Sequence, residues 1–240
     1  MTKVDAIEKV MIDNGGSASL KVIYDSIEQY YPKAKASEDW TAGIRGVLYR
    51  ELQHGTRFKK VGLSIYALAD YREEKFEAIP KVRYHSYMEG VCLELGNTKH
   101  FDTYTADPSA LYKDNTFLRN VATLSDVPSF SYKPIVQQAK LIDVLWFNKG
   151  ELAFPQLAFE VVDSIGTLNA ALNRCMQLHH FRTKFFVIAP EKYHDKYEKT
   201  INFEIYKPYM DRFHFIGYDE MIEDYKVALH NEKIELKLFG

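Results

Sequence analysis

Two acidic residues stand where a β-hairpin wants aliphatic ones. The runs Ile142-Asp143-Val144-Leu145-Trp146-Phe147 and Ala158-Phe159-Glu160-Val161-Val162 are apolar and short. A turn-rich segment, Asn-Lys-Gly-Glu, lies between them, so they read as neighbouring strands. A carboxylate in a sheet interior is costly unless something compensates it. Asp143 and Glu160 must therefore either pair with Lys or Arg or share a bound cation. Magnesium takes oxygen ligands, usually one or two carboxylates, so two acids converging from adjacent strands suit it. From these residues alone both alternatives stay open.

The elements around the hairpin alternate. Residues 84–96 read as a helix ending in Leu93-Glu94-Leu95-Gly96, and Phe101-Asp-Thr-Tyr-Thr-Ala as a short strand. Thr167 can cap a helix that carries Arg174 and Gln177. Lys184-Phe-Phe-Val-Ile-Ala is nearly continuous in apolar residues, the mark of a central strand buried on both faces. A further helix, a strand and a last helix follow. Such alternation predicts an α/β fold with a mixed sheet.

Residues 1–72 differ in character. Thr2 and Asp5 form a capping box for a first helix striped by Val4, Ile7, Val10 and Met11, and Asn14-Gly15-Gly16 stop it. Ser19 can cap a second helix, which Pro32 ends, and Thr41 opens a third that Gly55 terminates. Phe58, Val61, Ile65 and Leu68 then lie in two strands around Gly62. Three helices and a hairpin predict a winged helix-turn-helix, whose third helix enters the DNA major groove. Arg45 and Arg50 lie on that helix, and Arg57, Lys59 and Lys60 lead into the hairpin. The same charges would also suit the solvated face of a small interaction domain. Residues 73–82, charged and containing Pro80, read as a linker, and a second domain spans 83–240.

Composition narrows the class. The longest apolar run is far shorter than a membrane span, and the first ten residues carry charge where a signal peptide would be apolar. Two cysteines, Cys92 and Cys175, make no disulfide framework, which fits a reducing, cytoplasmic setting. A net charge of -2 does not advertise a nucleic-acid binder, but the placement of charge matters more than its sum.

Two resemblances add to this. The stretch from Asp5 to Ile27 with Phe58-Lys-Lys-Val-Gly…Tyr66-Ala-Leu resembles the HARE-HTH type of winged helix, which implies DNA binding. Residues 83–240 resemble the PD-(D/E)xK nuclease superfamily as restriction endonucleases carry it, on Ile142–Phe147, Ala158–Ser164, the helix ending Leu93–Gly96, and Gln177. That resemblance implies Asp143 and Glu160 as ligands of magnesium or manganese, Glu94 as an accessory acid, and Gln177 near metal or substrate. Arg174 suits a phosphate through its forked donors. The resemblance further implies a type II restriction-like endonuclease acting on double-stranded DNA; cutting both strands needs two such sites, which predicts a homodimer, and a functional pairing with a DNA methyltransferase would suit such an enzyme.

One residue departs from that pattern. The superfamily places a lysine two residues past the second acid, on the same strand face. Here the position is Val162. Three accounts fit. Arg174, Gln177, Asp163 or Lys140 supplies the role; or the metal does most of the work; or the domain is inactive and the protein is a DNA-binding regulator.

Overall fold

The structure, a computed structural model, describes residues 1–54, 56–72, 84–113 and 115–239. Gly55 as a helix terminator and the linker over 73–82 lie outside the described residues.

The capping box sets the first helix. In α1 (Lys3–Asp13) the Thr2 hydroxyl accepts from Asp5 N at 3.2 Å and the Asp5 carboxylate accepts from Thr2 N at 2.9 Å. Gly15 and Gly16 follow at φ 74° and 101°, left-handed backbone that glycine adopts without strain. Strand β1 (Ser17–Ser19) had no counterpart in the sequence reading. Ser19 Oγ accepts from Val22 N and starts α2 (Leu20–Ser26), and a 3-10 turn through Gln29 carries it to its end before Pro32. Helix α3 (Trp40–His54) begins one residue ahead of Thr41. Strands β2 (Phe58–Lys60) and β3 (Ile65–Leu68) complete an antiparallel sheet of order β1-β3-β2. Ile7, Met11, Ile23, Ile44, Leu48 and Tyr66 fill the core between helices and sheet.

The rest of the chain builds α4 (Tyr84–Thr98), β4 (Asp102–Thr105), β5 (Leu111–Lys113), β6 (Thr116–Phe117) and α5 (Lys133–Ala139). After these come β7 (Val144–Phe147), β8 (Pro155–Val161), α6 (Leu168–Met176), β9 (Lys184–Ala189), α7 (His194–Ile201), β10 (Phe213–Gly217) and α8 (Tyr218–Phe239). Five strands form a mixed sheet of order β10-β9-β8-β7-β4. Strands β10, β9 and β8 run parallel; β7 and β4 are antiparallel to their neighbours. Strand β9 is covered on both sides, as its apolar run requires. Residues alternate between two cores. Val144, Trp146, Phe159 and Val161 pack with α4 and α8, while Leu145, Phe147, Ala158 and Val162 pack with α5, α6 and α7. The fold is α/β, with helices on both faces of the sheet.

Gly96 does not end α4; the helix runs on to Thr98. A Cβ at Gly96 would come within 2.7 Å of the Trp146 indole and 2.6 Å of Thr103, so glycine is what lets α4 lie close on β4 and β7. The β2–β3 hairpin is also packed inward. Val61, Leu63, Ile65 and Ala67 join the core beneath α4 and α8.

Candidate active site

The register of β7 on β8 pairs Val144 with Phe159 and Leu145 with Ala158. One step further along the same register sets Asp143 opposite Glu160. The two acids do converge at one end of the sheet. Asp143 Oδ2 accepts from Val161 N at 2.8 Å. Glu160 is fully buried, and Arg174 from α6 grips it at two points: Nε donates to Oε1 at 2.7 Å and Nη2 donates to Oε2. Beside them opens a cleft of about 290 Å³ lined by His85, Val161, Asp163, Ser164, Thr167, Ala170 and Arg174.

Helix α4 contributes two groups from its first half. The His85 Nε2 lies 3.6 Å from Glu89 Oε1 and 3.6 Å from Asp143 Oδ2, and its Nδ1 lies 3.4 Å from Asp163 Oδ2. Glu89 is 2% exposed. Burial pushes its carboxyl up to about 7, against the pull of His85. Burial also raises Asp143, against His85 and the Val161 N–H, and pushes Glu160 well up, against the Arg174 guanidinium. For His85 burial acts downward, but Asp163, Glu89 and Asp143 outweigh it and hold the imidazole up at about 10. Asp163 is lowered: burial is overcome by hydrogen bonds from His85 and Tyr218.

The donor set fits a cation. His85, Glu89 and Asp143 each offer one ligand atom, all within 4.8 Å of one another. Glu89 Oε2 is buried without a hydrogen-bond partner among the described residues, which leaves one of its oxygens open to a further ligand.

Other expected site residues lie elsewhere. Glu94 is not at this end of α4's buried face. Its carboxylate accepts from Ser64 N at 2.9 Å, Ser64 Oγ at 3.0 Å, Tyr112 OH at 3.0 Å and Tyr225 OH, with Lys113 Nζ 3.8 Å away. It ties the β2–β3 hairpin to α4 and α8, and Glu89 takes the place near Asp143 expected of it. Gln177 sits exposed at the C-cap of α6, its amide donating to Asn173 O at 3.3 Å, and it is not among the cleft-lining residues. Lys140 pairs with Asp126. Val162 is 1% exposed within the core beneath α6.

The basic residues divide likewise. Arg45 and Arg50 are exposed on α3, Arg45 donating to Tyr24 OH at 3.3 Å. Arg57 is drawn to Asp5 at 2.9 Å and Glu8 at 3.2 Å of α1, and Lys59 donates to Tyr71 O. Lys60 is the clearest correction. Its side chain is 3% exposed and ion-paired with Glu232 of α8, so it faces the rest of the chain and not a ligand outside it.

His85 and Glu89 are not among the site residues expected from the sequence. Their spacing, one helical turn, was a readable signal, since residues at i and i+4 share a face.

Residues 67–237 match the family model of the type II restriction enzyme NmeDI C-terminal domain. The chain belongs to that family. No curated protein and no solved structure matches it. Membership in the NmeDI C-terminal domain family points to a type II restriction-like nuclease and to DNA as its partner. Type II restriction enzymes generally use divalent metal ions, in keeping with the acids gathered beside the cleft. No helix among the described residues is long and apolar enough to cross a membrane.

Proposed function

We propose that the protein is a metal-dependent DNA endonuclease whose residues 83–240 form a PD-(D/E)xK core and whose residues 1–72 form a winged helix of the HARE-HTH type, joined by the linker 73–82. The observation that carries this is the juxtaposition of Asp143 and Glu160 at the sheet end, beside a cleft, in a chain of a restriction-enzyme family. Asp143 and Glu160 would hold magnesium or manganese, and the ion, when bound, would supply polarisation of the scissile phosphodiester and activation of water. Asp143 is fixed by the Val161 N–H and cannot rotate away without leaving that donor unmet. Arg174 reaches the cleft edge and is the group nearest to the role of the lysine that Val162 lacks, as a donor to the phosphate.

Duplex DNA lies along α3, where Arg45 and Arg50 meet phosphates. Cutting both strands needs two sites, which a homodimer supplies. A methyltransferase would protect the host's own sites.

A second reading has its own observation. Glu160 is engaged by Arg174 and Val162 is sealed in the core, as in a nuclease fold that binds DNA without cutting it. Incubation of modified and unmodified plasmid and phage DNA with Mg2+ or Mn2+ decides between them. Discrete fragments from the wild type and none from Asp143→Ala support the endonuclease. Intact DNA with binding retained supports the regulator.

A further inference from the structure

We infer that His85, Glu89 and Asp143 form a mixed nitrogen–oxygen metal site that takes a first-row transition cation, such as manganese(II), in preference to magnesium. The inference deepens the endonuclease reading and shares its location, but it assigns two ligands outside the strand pair.

Four observations meet there. His85 and Glu89 lie one turn apart on α4, and Asp143 reaches the same point from just ahead of β7, with one donor atom from each within 4.8 Å of the other two. The carboxylate of Glu89 is 2% exposed, and its Oε2 has no hydrogen-bond partner among the described residues. The cleft gives the cluster an opening to solvent through His85. Finally, the imidazole is held for the purpose. Its Nδ1 faces Asp163 Oδ2 at 3.4 Å, and Asp163 in turn accepts from Tyr218 OH, so Nε2 is directed at Glu89 and Asp143. A carboxylate on the far nitrogen is the usual support of a metal-ligating histidine, fixing tautomer and ring orientation.

Glu160, engaged by Arg174, lies beside this set and in contact with Asp143. The three residues themselves offer one imidazole and two carboxylates. Magnesium demands near-octahedral oxygen ligation and dehydrates reluctantly. An imidazole nitrogen shifts preference toward transition cations, which accept nitrogen.

The test is Mn2+ binding to the full-length, DNA-free protein, followed by pulsed electron paramagnetic resonance for nitrogen coupling. Mg2+ affinity is measured by competition, and each variant is checked for folding by circular dichroism. Wild type should bind Mn2+ at least about tenfold more tightly than Mg2+ and show coupling to one nitrogen. His85→Gln should lose that coupling and at least about tenfold in Mn2+ affinity. Glu89→Gln should lose affinity and keep the coupling, a check should His85→Gln fail to fold. Mn2+ bound with no nitrogen coupling overturns the inference, and so does wild-type affinity in folded His85→Gln and Glu89→Gln. Nitrogen-coupled Mn2+ in a protein that cuts no DNA supports this site and overturns the nuclease reading alone.

Discussion

Arg174 and Glu160 form a two-point pair between α6 and β8, with the carboxylate fully buried and the guanidinium partly open to the cleft. Removing one partner of a buried pair strands the other's charge. Arg174→Ala should therefore cost about 3–5 kcal/mol of stability. Glu160→Gln in the same background should return part of that loss, because the stranded charge is gone. Urea unfolding of the single and double variants, metal-free, gives the coupling; additive losses would mean that the pair does not hold α6 against the sheet.

His85 and Glu89 make stability fall as pH rises. The Glu89 carboxyl is raised to about 7, so its protonated form stabilises the fold fully below its ordinary pKa of 4.5, and that contribution is lost as pH climbs toward 7. The His85 imidazole is raised to about 10, so its contribution is complete below 6.5 and lost between 6.5 and about 10. Both slopes have the same sign. The urea midpoint of the metal-free protein should decline steadily from pH 5 to 10. In His85→Gln the decline above pH 7 should flatten, and a curve parallel to the wild type would contradict the arrangement.

Glu94 should matter to the fold and not to the metal. Its carboxylate is held below the usual range: burial acts upward, and Lys113 with the hydrogen bonds from Tyr225, Ser64 and Tyr112 outweighs it. Its stabilisation is present above pH 4.5 and lost on acidification. Glu94→Ala leaves buried hydroxyl and N–H donors unmet, at about 1–3 kcal/mol for each unsatisfied group. Limited proteolysis should then cut near residues 58–68, where the hairpin loses its anchor. Mn2+ affinity should stay as in the wild type, and a loss of affinity in a folded variant would return Glu94 to the metal site.

What the sequence disclosed follows from how local each signal is. The capping box at Thr2, the cap at Ser19 and the buried run of β9 depend on neighbours a few residues away, and each holds in the fold. The facing of Asp143 and Glu160 follows from a short hairpin connection and the two-residue strand period. Helix α4 carries no such local signal. Residues 86–96 are buried without a break, so no apolar stripe shows which of Glu89 and Glu94 turns to the site. The basic residues failed for another reason. Lys60 meets Glu232 and Arg57 meets Asp5 and Glu8, partners too distant in sequence for spacing to reveal.

DNA contact should accordingly be carried by α3 more than by the hairpin. A lysine or arginine on a phosphate contributes about one unit to the slope of log affinity against log salt. Arg45→Ala and Arg50→Ala should each weaken binding on every duplex and lower that slope by about one, read by fluorescence anisotropy across a salt series. Lys60→Ala should leave the slope unchanged and lower the thermal midpoint, because it breaks a buried ion pair with Glu232.

Val162 offers the sharpest check on the missing lysine. Its N–H donates to Ile188 O at 2.8 Å, and its side chain shares a core with Leu168, Ala171 and Leu172 of α6. A lysine there would bury an ammonium on the strand face that also carries Glu160, whose carboxylate Arg174 already holds. Val162→Lys should therefore be destabilised by at least about 2 kcal/mol, while Val162→Met, flexible and apolar, should lose less. Cleavage by Val162→Lys should not exceed that of the wild type. A stable Val162→Lys protein that cuts DNA faster would show that β8 still keeps the place for a lysine, and that Arg174 does not fill the role.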